Sequence, residues 1–104
     1  MSPPAYHIDF GQSVRNELRV LAFRATRKGL LAALTASLRE MEKYLQVDPT
    51  GWGDPLYLYP VLGWLLYQRA VNPVHVSYGV DEPRKIVYIK SIRPFPGGGL
   101  ESVP

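Results

Sequence analysis

The spacing of hydrophobic residues changes from helical to strand-like along this chain, and that change restricts the fold more than any other feature. Between residues 14 and 45 apolar side chains recur every three or four positions. Val14, Leu18 and Leu21 share one helical face, and Leu31, Leu34, Leu38, Met41 and Leu45 form a second, longer stripe. From Val74 the period is two: Val74, Val76, Tyr78 and Val80 alternate with His75, Ser77 and Gly79, as in a half-buried strand. Ahead of the helices, Tyr6-His7-Ile8-Asp9-Phe10 alternates in the same way and ends at Gly11. The order β-α-α followed by strands alone predicts an α+β domain, a helix hairpin packed on one face of a small, mainly antiparallel sheet.

Local signals place the boundaries. Ser13 is a candidate cap for a helix running to about Phe23, and Thr26 for a second helix over 26–45. Asp48-Pro49-Thr50-Gly51-Trp52-Gly53-Asp54-Pro55 reads as a turn-rich loop. Leu56 to Tyr59 is strand-like and is interrupted by Pro60. Val61 to Val71 reads as a strand on the propensity of Trp64, Tyr67 and Val71, although Pro60 would also suit the first turn of a helix. Asp81-Glu82-Pro83-Arg84 makes a turn into a returning strand over 85–93, apolar on both faces at Ile86 to Ile89 and therefore central. The expected sheet contains 6–10, 64–71, 74–80 and 85–93. Residues 1–96 form the domain, and Gly97-Gly98-Gly99 opens a flexible tail over 97–104.

Composition narrows the chemistry. At 104 residues, 46% hydrophobic and 20% charged, the chain suits one folded domain. It has no cysteine, which excludes disulfides, thiolate metal sites and cysteine nucleophiles. The two histidines and the aspartates lack zinc or calcium-loop spacing, and no lysine or following helix makes Gly97 to Gly99 a phosphate loop, so neither metal nor cofactor is expected. The first five residues carry no basic or apolar signal segment, and the longest apolar run, Val61 to Tyr67, is too short to span a bilayer. A cytoplasmic location without membrane contact is the expectation. The net charge is +3, with Arg15, Arg19, Arg24, Arg27 and Lys28 crowded into fourteen positions against Glu17 alone. Such a run suits an acidic partner or phosphate as well as a solvated helix face.

The stretch Asn72-Pro73-Val74-His75-Val76-Ser77-Tyr78-Gly79-Val80-Asp81, the last strand Arg84 to Arg93, the loop Gly53-Asp54-Pro55-Leu56 and the first strand Tyr6 to Phe10 together resemble the RelE/ParE superfamily of bacterial toxins. The resemblance covers residues 5–95 and implies the same β-α-α-β-β-β order. It also implies a small acidic antitoxin as partner, with gyrase or the ribosome as target. In its ribonuclease branch, messenger RNA is cut without a metal, by strand lysines, a motif arginine, and a late arginine with an aromatic or histidine. Those positions fall here on Leu66 and Gln68, on His75, and on Phe95 with Arg93 two residues earlier, and no late tyrosine follows. A rearranged catalytic set would comprise His75, Arg69, Lys90 and Arg93, with the imidazole as acid or base. A regular strand, however, directs Lys90 and Arg93 to opposite faces.

Three readings follow: a toxin acting by protein binding rather than RNA cleavage, a metal-independent endoribonuclease, and a degenerate, non-toxic scaffold. The basic run, with Trp52, Tyr57 and Tyr59 around the proline-rich loop, forms the expected partner-binding set. Exposure of those aromatics would favour a second chain or a homodimer.

Overall fold

The computed structural model describes residues 5–59, 61 and 63–101. Of the first five residues, on which the signal reading rests, 1–4 lie outside the described residues, as do Pro60, Leu62 and the last three residues of the chain. The element order is β1 (His7–Phe10), α1 (Gln12–Lys28), α2 (Leu31–Val47), α3 (Pro49–Trp52), β2 (Asp54–Tyr59), β3 (Trp64–Val71), β4 (Val74–Asp81) and β5 (Ile86–Pro94). The α+β architecture and the helix pair agree with the periodicity. The sheet has five strands rather than four, in the order β1-β5-β4-β3-β2, because 54–59 pairs antiparallel along β3. Only β1 against β5 is parallel. Within that segment Val61 and Gly63 lie in a turn and Trp64–Val71 form β3, so the strand reading holds from Trp64 onward.

Two helix boundaries differ from expectation. Gly11, not Ser13, stands at the N-cap of α1, and the helix runs five residues past Phe23. Thr26 lies inside it, its hydroxyl donating to the Ala22 carbonyl at 2.8 Å instead of capping a second helix. The stop is Gly29, whose left-handed φ of 71° closes the helix while Leu30 N–H reaches back to Ala25 O at 2.7 Å. The proline-rich loop begins with a helical turn: Asp48 accepts from Gly51 N–H, with Pro49 at the first helical position.

The core lies between the helices and one sheet face. Val14, Leu21 and Ala25 of α1 and Leu34, Met41 and Leu45 of α2 meet Val74, Val76 and Tyr78 of β4 and Val87, Ile89 and Ile92 of β5. Leu31, expected in the stripe, is 43% exposed; the buried part of the stripe begins at Leu34. Tyr78 is fully buried, its hydroxyl donating to Pro49 O at 2.5 Å and its ring lying against Trp52 and Tyr67. Burial pushes the Tyr78 phenol pKa well above its ordinary value.

The expectation of a loose tail from Gly97 is corrected for residues 97–101. Leu100 is completely buried in the core. Lys28 Nζ donates to Gly99 O at 2.7 Å, and Arg24 to Leu100 O at 3.3 Å. Glu101 turns back to accept from Gly97 and Gly99 N–H, which hold its carboxyl below the usual range. Sequence position made this segment look like tail, whereas one apolar side chain and two helix cations fasten it.

Candidate binding face of the sheet

The sheet face turned away from the helices is laid out by strand register. Opposed residues in an antiparallel pair share a face, so one row reads Ala70, His75, Arg93 and the next Gln68, Ser77, Ser91. The Ser77 and Ser91 hydroxyls meet at 2.6 Å. A third row reads Leu66, Gly79, Tyr88. Here Gly79 makes room: a Cβ would lie 3.0 Å from Leu66 and 3.1 Å from Trp64, so either side chain would have to give way slightly. The bare backbone lets the Trp64 and Tyr88 rings stack at 4.4 Å and 7°. Tyr59, Trp64, Leu66, Gly79, Tyr88 and Lys90 enclose a cavity of about 240 Å³.

Lys90 reaches this face through a bulge. Opposite consecutive Ser77 and Tyr78, β5 supplies Ser91 and Ile89, which leaves Lys90 as the extra residue. The inserted position shifts the alternation by one, and Lys90 and Arg93 therefore occupy the same face, contrary to the period-two expectation. Lys90 Nζ stands 3.3 Å from Tyr57 Oη and 5.9 Å above its ring. His75, Lys90 and Arg93 of the four candidate catalytic residues share the face. Arg69 does not: it opposes Val76, a core residue, and its guanidinium donates to Trp52 O at 2.6 Å and lies 5.2 Å over the indole.

The candidate partner-binding residues divide similarly. Tyr57 and Tyr59 are exposed, whereas Trp52 is buried at 6% because Tyr78 and Arg69 pack on it, which removes it as an exposed anchor. In the basic run, Arg15 donates to Phe10 O, Arg24 and Lys28 hold the C-terminal segment, Arg27 lies over Phe23, and Arg19 projects from an exposed position. Between α1 and the part of β5 beyond β1 lies a groove of about 400 Å³ whose walls include Asn16, Val20, Arg24, Ile92 and Arg93. Sequence reasoning did not find this groove, nor the Trp64–Tyr88 stack; both depend on which strands become neighbours. Among the described residues no cluster of potential metal ligands occurs, and no helix is long and apolar enough to cross a membrane.

No protein-family model matches the chain, and no curated protein matches it significantly. Among solved structures it is similar to a chain of the archaeal RelE-RelB complex from Pyrococcus horikoshii OT3. The TM-score is 0.64 at 18% identity, over 86% of this chain and 94% of that one. The likeness is one of fold: this chain has a RelE-like fold.

Proposed function

We propose that this protein is the toxin component of a toxin–antitoxin pair, acts in the cytoplasm by binding a protein target, and is restrained by a small acidic antitoxin. The fold likeness to a protein solved as a RelE-RelB complex supports the antitoxin. The cationic side of α1 and its apolar groove, with Val20 half exposed, suit an acidic amphipathic segment. The observation that carries the binding reading is the composition of the open sheet face. Tyr57, Tyr59, Trp64 and Tyr88 dominate it, and Lys90 and Arg93 are the cations assigned to it. Interfaces are rich in such aromatics, whereas a phosphorane needs denser positive charge and an acid for the leaving oxygen.

One observation favours a second reading. The bulge adds Lys90 to the face that His75 and Arg93 share by register, so one titratable imidazole and two cations lie on one side of the sheet. Inducible expression in a bacterial host, with and without co-expression of any small acidic protein encoded beside it, tests the pair: growth arrest relieved by such a partner is expected. Growth unaffected by this chain would leave the scaffold reading. Translation extracts carrying defined messages separate the mechanisms. No new 5′ ends at the ribosomal A site are expected, and cleavage abolished by His75→Ala would establish the endonuclease instead.

A further inference from the structure

The apolar side of the sheet extends past the helices that cover it. Opposed residues share a face, so Leu58 of β2, Leu65 of β3 and Val80 of β4 form one row, and Val80 belongs to the buried core. α1 packs mainly on β5 and α2 on β1, so the far end of this row meets only Thr50 of the single-turn α3 and the turn that follows β4. Leu58 is 59% exposed and Leu65 37%. Between them lies a recess of about 320 Å³, with Leu58, Leu65, Val80 and Pro83 as its apolar walls.

Three polar side chains line the same recess: Tyr67, Asp81 and Glu82. The Asp81 side chain is only 11% exposed, and its charge is weakly answered. Arg84 N–H stands 3.4 Å away, and the Arg84 guanidinium, itself 74% exposed, stands at 3.9 Å, too far for a hydrogen bond. Glu82 accepts from Tyr6 Oη at 2.9 Å and Lys85 Nζ at 3.1 Å. Tyr67 is 5% exposed, yet its hydroxyl bonds to no other described residue. Every fully buried polar side-chain atom among the described residues has a partner, so this unpartnered hydroxyl reaches solvent, and the recess is the opening it lines. Burial, and after it the Glu82 charge, keep the Tyr67 phenol protonated above its ordinary range.

We infer that this recess receives one arginine side chain of the protein target, with that arginine's apolar neighbours lying on Leu58 and Leu65. The source of the arginine rests on the protein-binding reading; the site is separate from the α1 groove. Charge and shape select the occupant. A guanidinium is planar, carries several N–H donors and no acceptor, and can serve the Asp81 and Glu82 carboxylates and the Tyr67 oxygen together. A neutral apolar segment would cover the Asp81 carboxylate without pairing it, and an acidic one is repelled. At about 320 Å³ the space suits one long side chain rather than a helix. Of the cations in the adjoining turn, Lys85 is held by Glu82, and Arg84 is the internal competitor that an incoming arginine displaces.

Titration of the isotope-labelled full chain with the peptide acetyl-Leu-Arg-Leu-amide, followed by backbone amide NMR, tests the inference. Saturable shifts in the millimolar range or tighter are expected at Leu65, Val80, Asp81 and Glu82, with Asn16 and Val20 of the α1 groove unmoved. Citrulline, the neutral isostere, in place of the peptide's arginine should abolish the shifts, and lysine should bind more weakly. Asp81→Asn keeps an acceptor for Arg84 N–H and should lower the affinity about tenfold, because the charge-assisted pair is lost. Arg84→Gln should raise it a few-fold by removing the competitor, a gain that a purely structural Asp81–Arg84 pair does not predict. No saturable shift at these residues, equal binding of the citrulline or lysine peptide, or an Arg84→Gln chain that binds no more tightly would each overturn the inference. The peptide assay requires neither toxicity nor an antitoxin, so a silent recess in a chain that arrests growth would strike this inference and leave the toxin reading standing.

Discussion

Removal of one oxygen atom tests how the small helix α3 is fastened to the sheet. In Tyr78→Phe the ring and its contacts with Trp52 and Tyr67 remain, but the buried Pro49 carbonyl loses its donor. Leaving such a group unpaired costs about 1–3 kcal/mol, a sizeable share of the total stability of a domain this size. With a urea m-value of about 1.5 kcal/mol/M, a loss of about 1.5 kcal/mol moves the unfolding midpoint down by about 1 M at neutral pH. The same side chain predicts an alkaline signature. Burial raises the folded-state pKa of Tyr78 above the ordinary phenol value of 10.0, so its protonated form belongs to the folded protein. The associated stability is complete below that value and is lost as pH rises toward the folded-state pKa, by about 1.4 kcal/mol at one pH unit above the unfolded value. The wild-type advantage over Tyr78→Phe should therefore shrink between pH 9 and pH 11, whereas Tyr67, whose pKa burial also raises, contributes equally to both proteins. Urea titrations at a series of pH values read both effects. Equal midpoints at pH 7, or curves that stay parallel above pH 10, would refute the assignment.

Two further substitutions probe contacts that only the folded chain creates. Leu100→Ala should destabilise the domain by about 2–4 kcal/mol, measured by thermal or urea unfolding, because its side chain is fully buried; a loose tail would tolerate the change without loss. Gly53→Ala should cost about 1–3 kcal/mol in the same assay, since the new methyl would lie 2.5 Å from Tyr78 Oη and 3.1 Å from Gln68 O.

The sequence by itself determined the layer plan. Val14, Leu18 and Leu21, then Leu34, Leu38, Met41 and Leu45, can bury one face only as helices, and Val74 to Val80 can do so only as a strand, because each spacing brings its apolar side chains together in one conformation. Those patterns, with the hairpin turn at Asp81, were enough for the RelE-like fold. The tertiary structure decided what depends on neighbours distant in the chain. Residues 54–59 form a strand because β3 offers an unpaired edge, and Trp52 is buried because Tyr78 and Arg69, far along the sequence, close over it. Leu100 leaves the glycine-rich tail because α1 presents Arg24 and Lys28 to its backbone. The bulge had one local trace, the step from Ile89 to Ile92 between inward residues where a regular strand would step by two. That irregularity moved Lys90 onto the face of His75 and Arg93, while Arg69, adjacent to Ala70 in sequence, was held on the other side by the alternation of its own strand. Periodicity is a property of neighbours along the chain, and it therefore fixed which elements form. Register, edges and the membership of the candidate site are properties of neighbours across the sheet, and packing alone assigned them.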